Sequence, residues 1–277
     1  MKILKRENGV TLIELLIALV ISSLLIAALY RTFIGQQKTY VVQEQVVDMQ
    51  QNVRVAIHQM MREIRMAGFG NVSDFLDLSG GVNGFTRVIT PSANAVTVVG
   101  GLKQIRRSNG DPIVVSSASG NQITLNYATD EFDKPGHQFI SIGGLESNTV
   151  IKRSVRVLTL NNPLQFNHPP GTLIFKIQAI TYTTGISDGR SVLRRNENTG
   201  GGAQRLAENI ENIQFEYFDA NGTLLALPIA NPGIIRMVRV TVTARTNDSD
   251  PDYKGGDGFR RRQIASNIQV RNMGLSP

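Results

Sequence analysis

Residues Val10 to Leu29 form a 20-residue run with one ionisable side chain, Glu14, and Thr11, Ser22 and Ser23 as its other polar interruptions. A helix of that length rises about 30 Å, the thickness of a bilayer's hydrocarbon core. Lys2, Lys5 and Arg6 precede it. A basic flank of this kind sets the amino end on the cytoplasmic side and sends the rest of the chain across. A secretory signal peptide would have a shorter apolar core and a small-residue cleavage site behind it. Here the run is long, and Leu29-Tyr30-Arg31 follows it. A single-pass anchor over residues 10–29 fits better, but it leaves Glu14 unexplained. A carboxylate costs about 2.5–3.5 kcal/mol at the membrane centre and less near the interface.

One local explanation exists for Glu14. Thr11-Leu12-Ile13-Glu14 has capping-box spacing, in which Thr11 caps the helix and Glu14 reaches back to the cap's amide. That satisfies helix-start donors without accounting for Gly9 or the short charged leader.

Past the apolar run the helical pattern continues. No proline occurs before Pro91, and Gly35 alone interrupts the stretch from Val10 to Ala67. Val42, Val46, Met49, Val53, Ile57, Met60, Ile64 and Ala67 recur at spacings of three and four, which makes one apolar stripe. Gly68 is a natural helix stop. The expected helix covers 10–68, about 87 Å long if continuous. Gly35 is a weak point within it, since glycine costs about 1 kcal/mol in a helix interior relative to alanine.

From residue 69 the period falls to two, so a β-rich head over 69–277 is expected. Strand candidates are 95–99, 113–116, 123–127, 138–142, 150–158, 173–183, 213–219 and 236–245. Residues 204–211 read as a short helix. Asp219-Ala220-Asn221-Gly222 is a hairpin turn. The stretches 196–202 and 247–258 read as loops. With 41% hydrophobic and 18% charged residues, the chain has the composition of a folded protein. The absence of cysteine removes disulfides, thiolate catalysis and Cys-ligated zinc.

Gly9 followed by Val10-Thr11-Leu12-Ile13-Glu14-Leu15 resembles the class III signal of type IV prepilins and type II secretion pseudopilins. The resemblance implies that residues 1–9 are a leader. A prepilin peptidase would cut between Gly9 and Val10 and N-methylate Val10, although that family more often has Phe or Met there. It also implies that Glu14, with Thr11 beside it, acts in subunit assembly, where the carboxylate pairs with a neighbouring subunit's amine. Further along, Met61 to Gly70, with its Ala-Gly-Phe-Gly step, is similar to the end of the long helix in PilW-type minor pilins. Leu206 to Tyr217 with Asp219 and Gly222, Ile235 to Thr243, and Val270-Arg271-Asn272 resemble segments shared by PilW and pseudopilin J.

The implied fold is α+β and pilin-like: a long N-terminal helix whose first half spans the membrane, packed against a large β-rich C-terminal head. The implied role is a minor pilin that primes or caps a type IV pilus, structural and non-catalytic. Its partners would be other minor pilins, the major pilin, the peptidase and the inner-membrane assembly platform. The head would lie in the periplasm and later at the pilus tip or cell surface. The alternatives are pseudopilin J of a type II secretion system, and a tip adhesin or DNA-binding subunit.

The remaining residues add little chemistry. His58, His137 and His168 are far apart, and no nucleotide, zinc-protease or serine-hydrolase motif occurs. Asp248, Asp250, Asp252 and Asp257 make an oxygen-rich loop of the kind that can hold calcium. Pro251 and Phe259 spoil the EF-hand pattern, so no metal or other cofactor is expected, with calcium as the alternative. The net charge of +7 includes Arg106-Arg107, Arg194-Arg195 and Arg260-Arg261-Arg262. Solvated surface is the reading for these clusters. No aromatics interleave with them to stack bases, so nucleic acid is not an expected partner.

Overall fold

The computed structural model describes residues 10–250 and 252–273. Two compact units result, residues up to Asp48 and residues from Met49 onward. One helix, α1 (Leu12–Arg65), enters both.

In the first unit α1 is bare. Residues 10–33 are all exposed, including Leu12, Leu16, Leu24 and Leu29. Such a surface is stable against lipid or other apolar helices, not against water. From Met49 the stripe turns inward. Met49, Val53, Ile57, Met60 and Ile64 are buried, while Val42 and Val46 of the expected stripe stay half-exposed. The helix ends at Arg65, ahead of the expected stop. Residues 66–71 leave it as turns that dock on the sheet. The Gly68 amide donates to the Val99 carbonyl at 2.9 Å, and the Gly101 amide to the Phe69 carbonyl at 2.9 Å. Backbones that close admit no side chain. Gly68 sits at φ +80° with its missing Cβ 2.9 Å from the Asn272 oxygen, and a Cβ on Gly100 would lie 2.6 Å from the Met66 oxygen. That contact explains physically why Ala-Gly-Phe-Gly closes the helix. A second helix, α2 (Val72–Ser79), follows; no periodicity announced so short a piece.

A ten-stranded antiparallel sheet comes next in the chain. Its strands are β1 (Ile89–Pro91), β2 (Ala95–Gln104), β3 (Val115–Ser119), β4 (Gln122–Leu125), β5 (Phe139–Ile142), β6 (Glu146–Ser154), β7 (Val157–Leu160), β8 (Ile174–Ser187), β9 (Arg190–Asn196) and β10 (Ala203–Glu208). The order is β1-β2-β8-β5-β6-β7-β4-β3, with β9 on β8 and β10 on β9. Ile123, Ile140, Ile142, Leu158, Leu160 and Ile174 belong to its buried cluster. A four-stranded antiparallel sheet completes the head: β11 (Ile210–Phe218), β12 (Leu224–Leu225), β13 (Met237–Arg245) and β14 (Arg261–Gln269), in the order β12-β11-β13-β14. Val238, Val240 and Val242 are fully buried and alternate with half-exposed neighbours, the period-two pattern of a one-sided strand. The sheets are tied where the Phe215 amide donates to Ala93 (2.8 Å) and Tyr217 Oη donates to Ser92 (2.9 Å). The result is a long apolar N-terminal helix followed by a large β-rich head, the α+β pilin-like class expected.

Several local readings change. Residues 204–211 are not helical: they form β10 and the start of β11, split by Asn209 at φ +60°. Gln, Leu, Ala and Glu favour a helix locally, but pairing with β9 and β13 supplies long-range bonds that override the weak propensity. Residues 150–158 are not one strand but parts of β6 and β7, turned at Val155 with φ +50°. A β-branched residue is rarely found there, so no turn composition marked it. Strands β9 and β14 carried no periodic signature and were not foreseen. The Asp219–Gly222 hairpin turn is present. Asp219 Oδ1 accepts from the Asn221 and Thr223 amides at 2.9 and 2.8 Å.

Candidate assembly segment and the charged sites of the head

The start of α1 has a defined chemical geometry. The Thr11 amide and Thr11 Oγ1 each donate to Glu14 Oε2 at 2.9 Å, and the Glu14 amide donates to Thr11 Oγ1 at 3.3 Å. The Leu15 amide donates to the Thr11 carbonyl at 3.2 Å. This is the reciprocal capping box, so the carboxylate inside the apolar run has local partners. Val10, Thr11 and Glu14 are all exposed. Gly9 lies outside the described residues. Polar side chains further along α1 also turn to backbone: Ser23 Oγ donates to Val20 (2.8 Å) and Thr32 Oγ1 to Ala28 (3.1 Å). Each hydroxyl is thereby satisfied by its own helix, which for Ser23, inside the apolar run, removes the need for water within a membrane.

The aspartate loop does not gather into a ligand cage. Asp250 accepts two bonds from Arg260 (3.0 and 2.8 Å), and Asp257 accepts two from Arg261 (2.8 and 2.7 Å). Arg261 also makes a bidentate pair with Glu211 on β11 at 2.7 and 2.8 Å. Its hydrogen bonds, and then its charge, hold the Glu211 and Asp257 carboxyls below the usual range. Asp252 contributes only its amide, donated to Asp250 at 3.0 Å. Among the described residues, no group of three or more His, Asp or Glu side chains is placed to hold a metal ion.

The arginine clusters come apart in three dimensions. Arg107 lies 4.0 Å over the Tyr127 ring and Arg260 lies 5.0 Å over Tyr253. These are cation–π contacts that sequence neighbours could not reveal. Arg195 turns inward. Its Nε donates to both oxygens of Glu63 (3.1 and 3.2 Å), and Nη1 donates to Glu197 at 2.8 Å. Glu63, on α1, is 4% exposed and also accepts from Tyr182 Oη at 2.6 Å and Gln59 Nε2 at 2.6 Å. Burial, and then the Glu63 charge, raise the Tyr182 phenol well above its ordinary value. Burial alone would lower Arg195, but the bonds to Glu63 outweigh it and the guanidinium stays charged. In the sequence Glu63 is one more residue of the helix expected over 10–68. Its one available mark was its spacing of three from Met60, on the buried stripe.

Two further polar clusters pin loops. Lys176, 3% exposed on β8, meets His137 Nδ1 at 2.6 Å and Glu131 at 3.4 Å. Burial and then the Lys176 charge lower the His137 pKa, so the ring is neutral and accepts. His168, 3% exposed, meets Glu146 at 3.0 Å, and Glu146 also accepts from the Gln165 and Phe166 amides. His58 is exposed on α1. The three histidines thus stay separate: His137 and His168 each join a buried polar cluster, and His58 lies at the surface.

Among known protein families, the prokaryotic N-terminal methylation motif matches residues 4–30. Neither a curated protein nor a solved structure matches the chain. Among the described residues, α1 is the one helix long and apolar enough to cross a membrane. The matched motif overlies the start of that helix and its capping box. Motif and helix together support a pilin-type protein, anchored in a membrane by α1, that a prepilin peptidase processes and that assembles with other pilins.

Proposed function

We propose that this chain is a minor pilin that primes or caps a type IV pilus from its tip, with no catalytic role. The observation that carries the reading is the Thr11–Glu14 capping box at the head of a bare apolar helix, inside the methylation motif. Cleavage after Gly9 would leave Val10 as a free ammonium next to that carboxylate. Before assembly Glu14 is satisfied by Thr11 near the membrane interface. When α1 docks among other apolar helices, Glu14 loses water and needs a cation, which a neighbouring subunit's amino terminus supplies. A misregistered helix leaves the charge unpaired, so one register is favoured. The large head supports a place at the tip, where subunits need not repeat along a uniform shaft.

The test has two parts. Intact mass after co-expression with a prepilin peptidase should show loss of residues 1–9 in wild type and none in Gly9→Ala. In a piliated host, Glu14→Ala should be cut normally yet be absent from sheared pili, with fewer pili assembled. An uncut wild type, or Glu14→Ala that assembles normally, would sink the proposal.

A further inference from the structure

Among the described residues, one margin of the head's sheets is a long open strand. β14 is the margin of the four-stranded sheet and, among the described residues, pairs with β13 alone. Its register runs unbroken from Met237↔Gln269 to Arg245↔Arg261. The Arg260 carbonyl accepts from the Thr246 amide, and the Val270 amide donates to the Arg236 carbonyl, both at 2.9 Å. Even-numbered residues of β14 therefore turn their main-chain groups toward β13. By the alternation of an antiparallel ladder, Arg261, Gln263, Ala265, Asn267 and Gln269 turn theirs away. All five are exposed.

Other margins of the sheets are blunted in the usual ways. β1 spans three residues and ends in Pro91, and β12 spans two. The β3 and β10 registers shift, at Val115/Ser117 and Arg205/Ala207. β14 has nine residues and no proline, glycine or bulge. Such an edge is competent to accept another strand.

Charge selects the occupant. Arg260 and Arg261 are taken by Asp250, Glu211 and Asp257. Arg262, at the start of β14, and Arg271, just past its end, are exposed and have no acidic partner among the described residues. They stand nine residues apart, roughly 30 Å along a strand. Between them the edge is uncharged. A second copy pairing antiparallel about Ala265 would bring its Arg271 toward the Arg262 of the first at both ends, like charge toward like, with a net charge of +7 on each chain. We propose that β14 is a docking edge that takes an extended segment of a different protein chain by main-chain pairing, uncharged in its middle and acidic at both ends. This edge lies in the head and stands whether or not the chain is cut after Gly9.

The test uses the full chain in nonionic detergent and a fluorescein-labelled peptide of alternating threonine and valine with glutamate at each end, read by fluorescence anisotropy. Two controls have lysine ends, or glutamate ends with N-methylated alternate amides. The glutamate peptide should bind, the lysine peptide about tenfold more weakly, and the methylated one not at all. Ala265→Pro removes an outward N–H and no bond to β13, so it should fold and lose binding. Failure of wild type to bind the glutamate peptide, equal binding of the methylated peptide, or a folded Ala265→Pro that binds like wild type would each overturn the proposal. Should Ala265→Pro fail to fold by circular dichroism, Arg262→Glu decides. A narrowed or inverted preference between glutamate and lysine ends supports the docking edge, and an unchanged preference overturns it. A wild-type dimer by sedimentation that Ala265→Pro abolishes would overturn it in favour of a second copy.

Discussion

Replacing Glu63 with alanine should be among the most damaging single changes in the head. The carboxylate is 4% exposed and takes bonds from Tyr182, Arg195 and Gln59. Its loss leaves the Arg195 guanidinium, whose side chain is 17% exposed, with Glu197 as its one acid. It also leaves the Tyr182 hydroxyl, on a fully buried side chain, without an acceptor. Breaking one side of a buried pair costs about 3–5 kcal/mol. Alanine returns only about 0.4 kcal/mol of it through helix propensity. Tyr182→Phe removes one hydrogen bond to a charged group and no packing, so about 1.5–3 kcal/mol is expected. Combined, the two changes should cost less than their sum, because the alanine variant has already stranded the hydroxyl. Urea unfolding of the full chain in detergent, followed by circular dichroism, reads all three. A Glu63→Ala loss below about 1 kcal/mol, or full additivity with Tyr182→Phe, would refute the buried-network reasoning.

Gly100→Ala should lower stability by about 1–3 kcal/mol, since its Cβ would sit 2.6 Å from the Met66 oxygen where the helix exit docks on β2; a thermal melt checks it. His137 has a folded pKa below its ordinary value, so the folded state binds its proton less tightly than the unfolded chain. Stability should therefore be intact above about pH 6.5 and fall as pH drops from there, and His137→Gln should flatten that slope in urea titrations between pH 7 and 5. Millimolar calcium should leave the melting temperature unchanged, because Arg260 and Arg261 already hold Asp250 and Asp257. A rise that disappears in Asp257→Asn would restore the loop as a calcium site.

The chain's own letters determined its beginning. An apolar run of 20 residues, its basic flank and the Thr11-x-x-Glu14 spacing are local facts, and each has one physical meaning at short range. The helix formed, and so did the capping box. The alternation of Val238, Val240 and Val242 likewise reported its own strand, because one buried face imposes period two wherever the partner lies. Tertiary structure decided what depends on residues far apart. Residues 204–211 became strand because β9 and β13 offered backbone partners that local propensity does not count. Arg195 looked like surface charge until β9 brought it to Glu63, 132 positions away. The spacing of the four loop aspartates does not say which cations they meet; the fold gives Asp250 to Arg260 and Asp257 to Arg261. Whether β14 ends the sheet or meets a neighbour is a matter of pairing, and pairing is a property of the folded chain. Periodicity encodes burial, which a sequence carries with it; the identity of a buried charge's partner is encoded only in the fold.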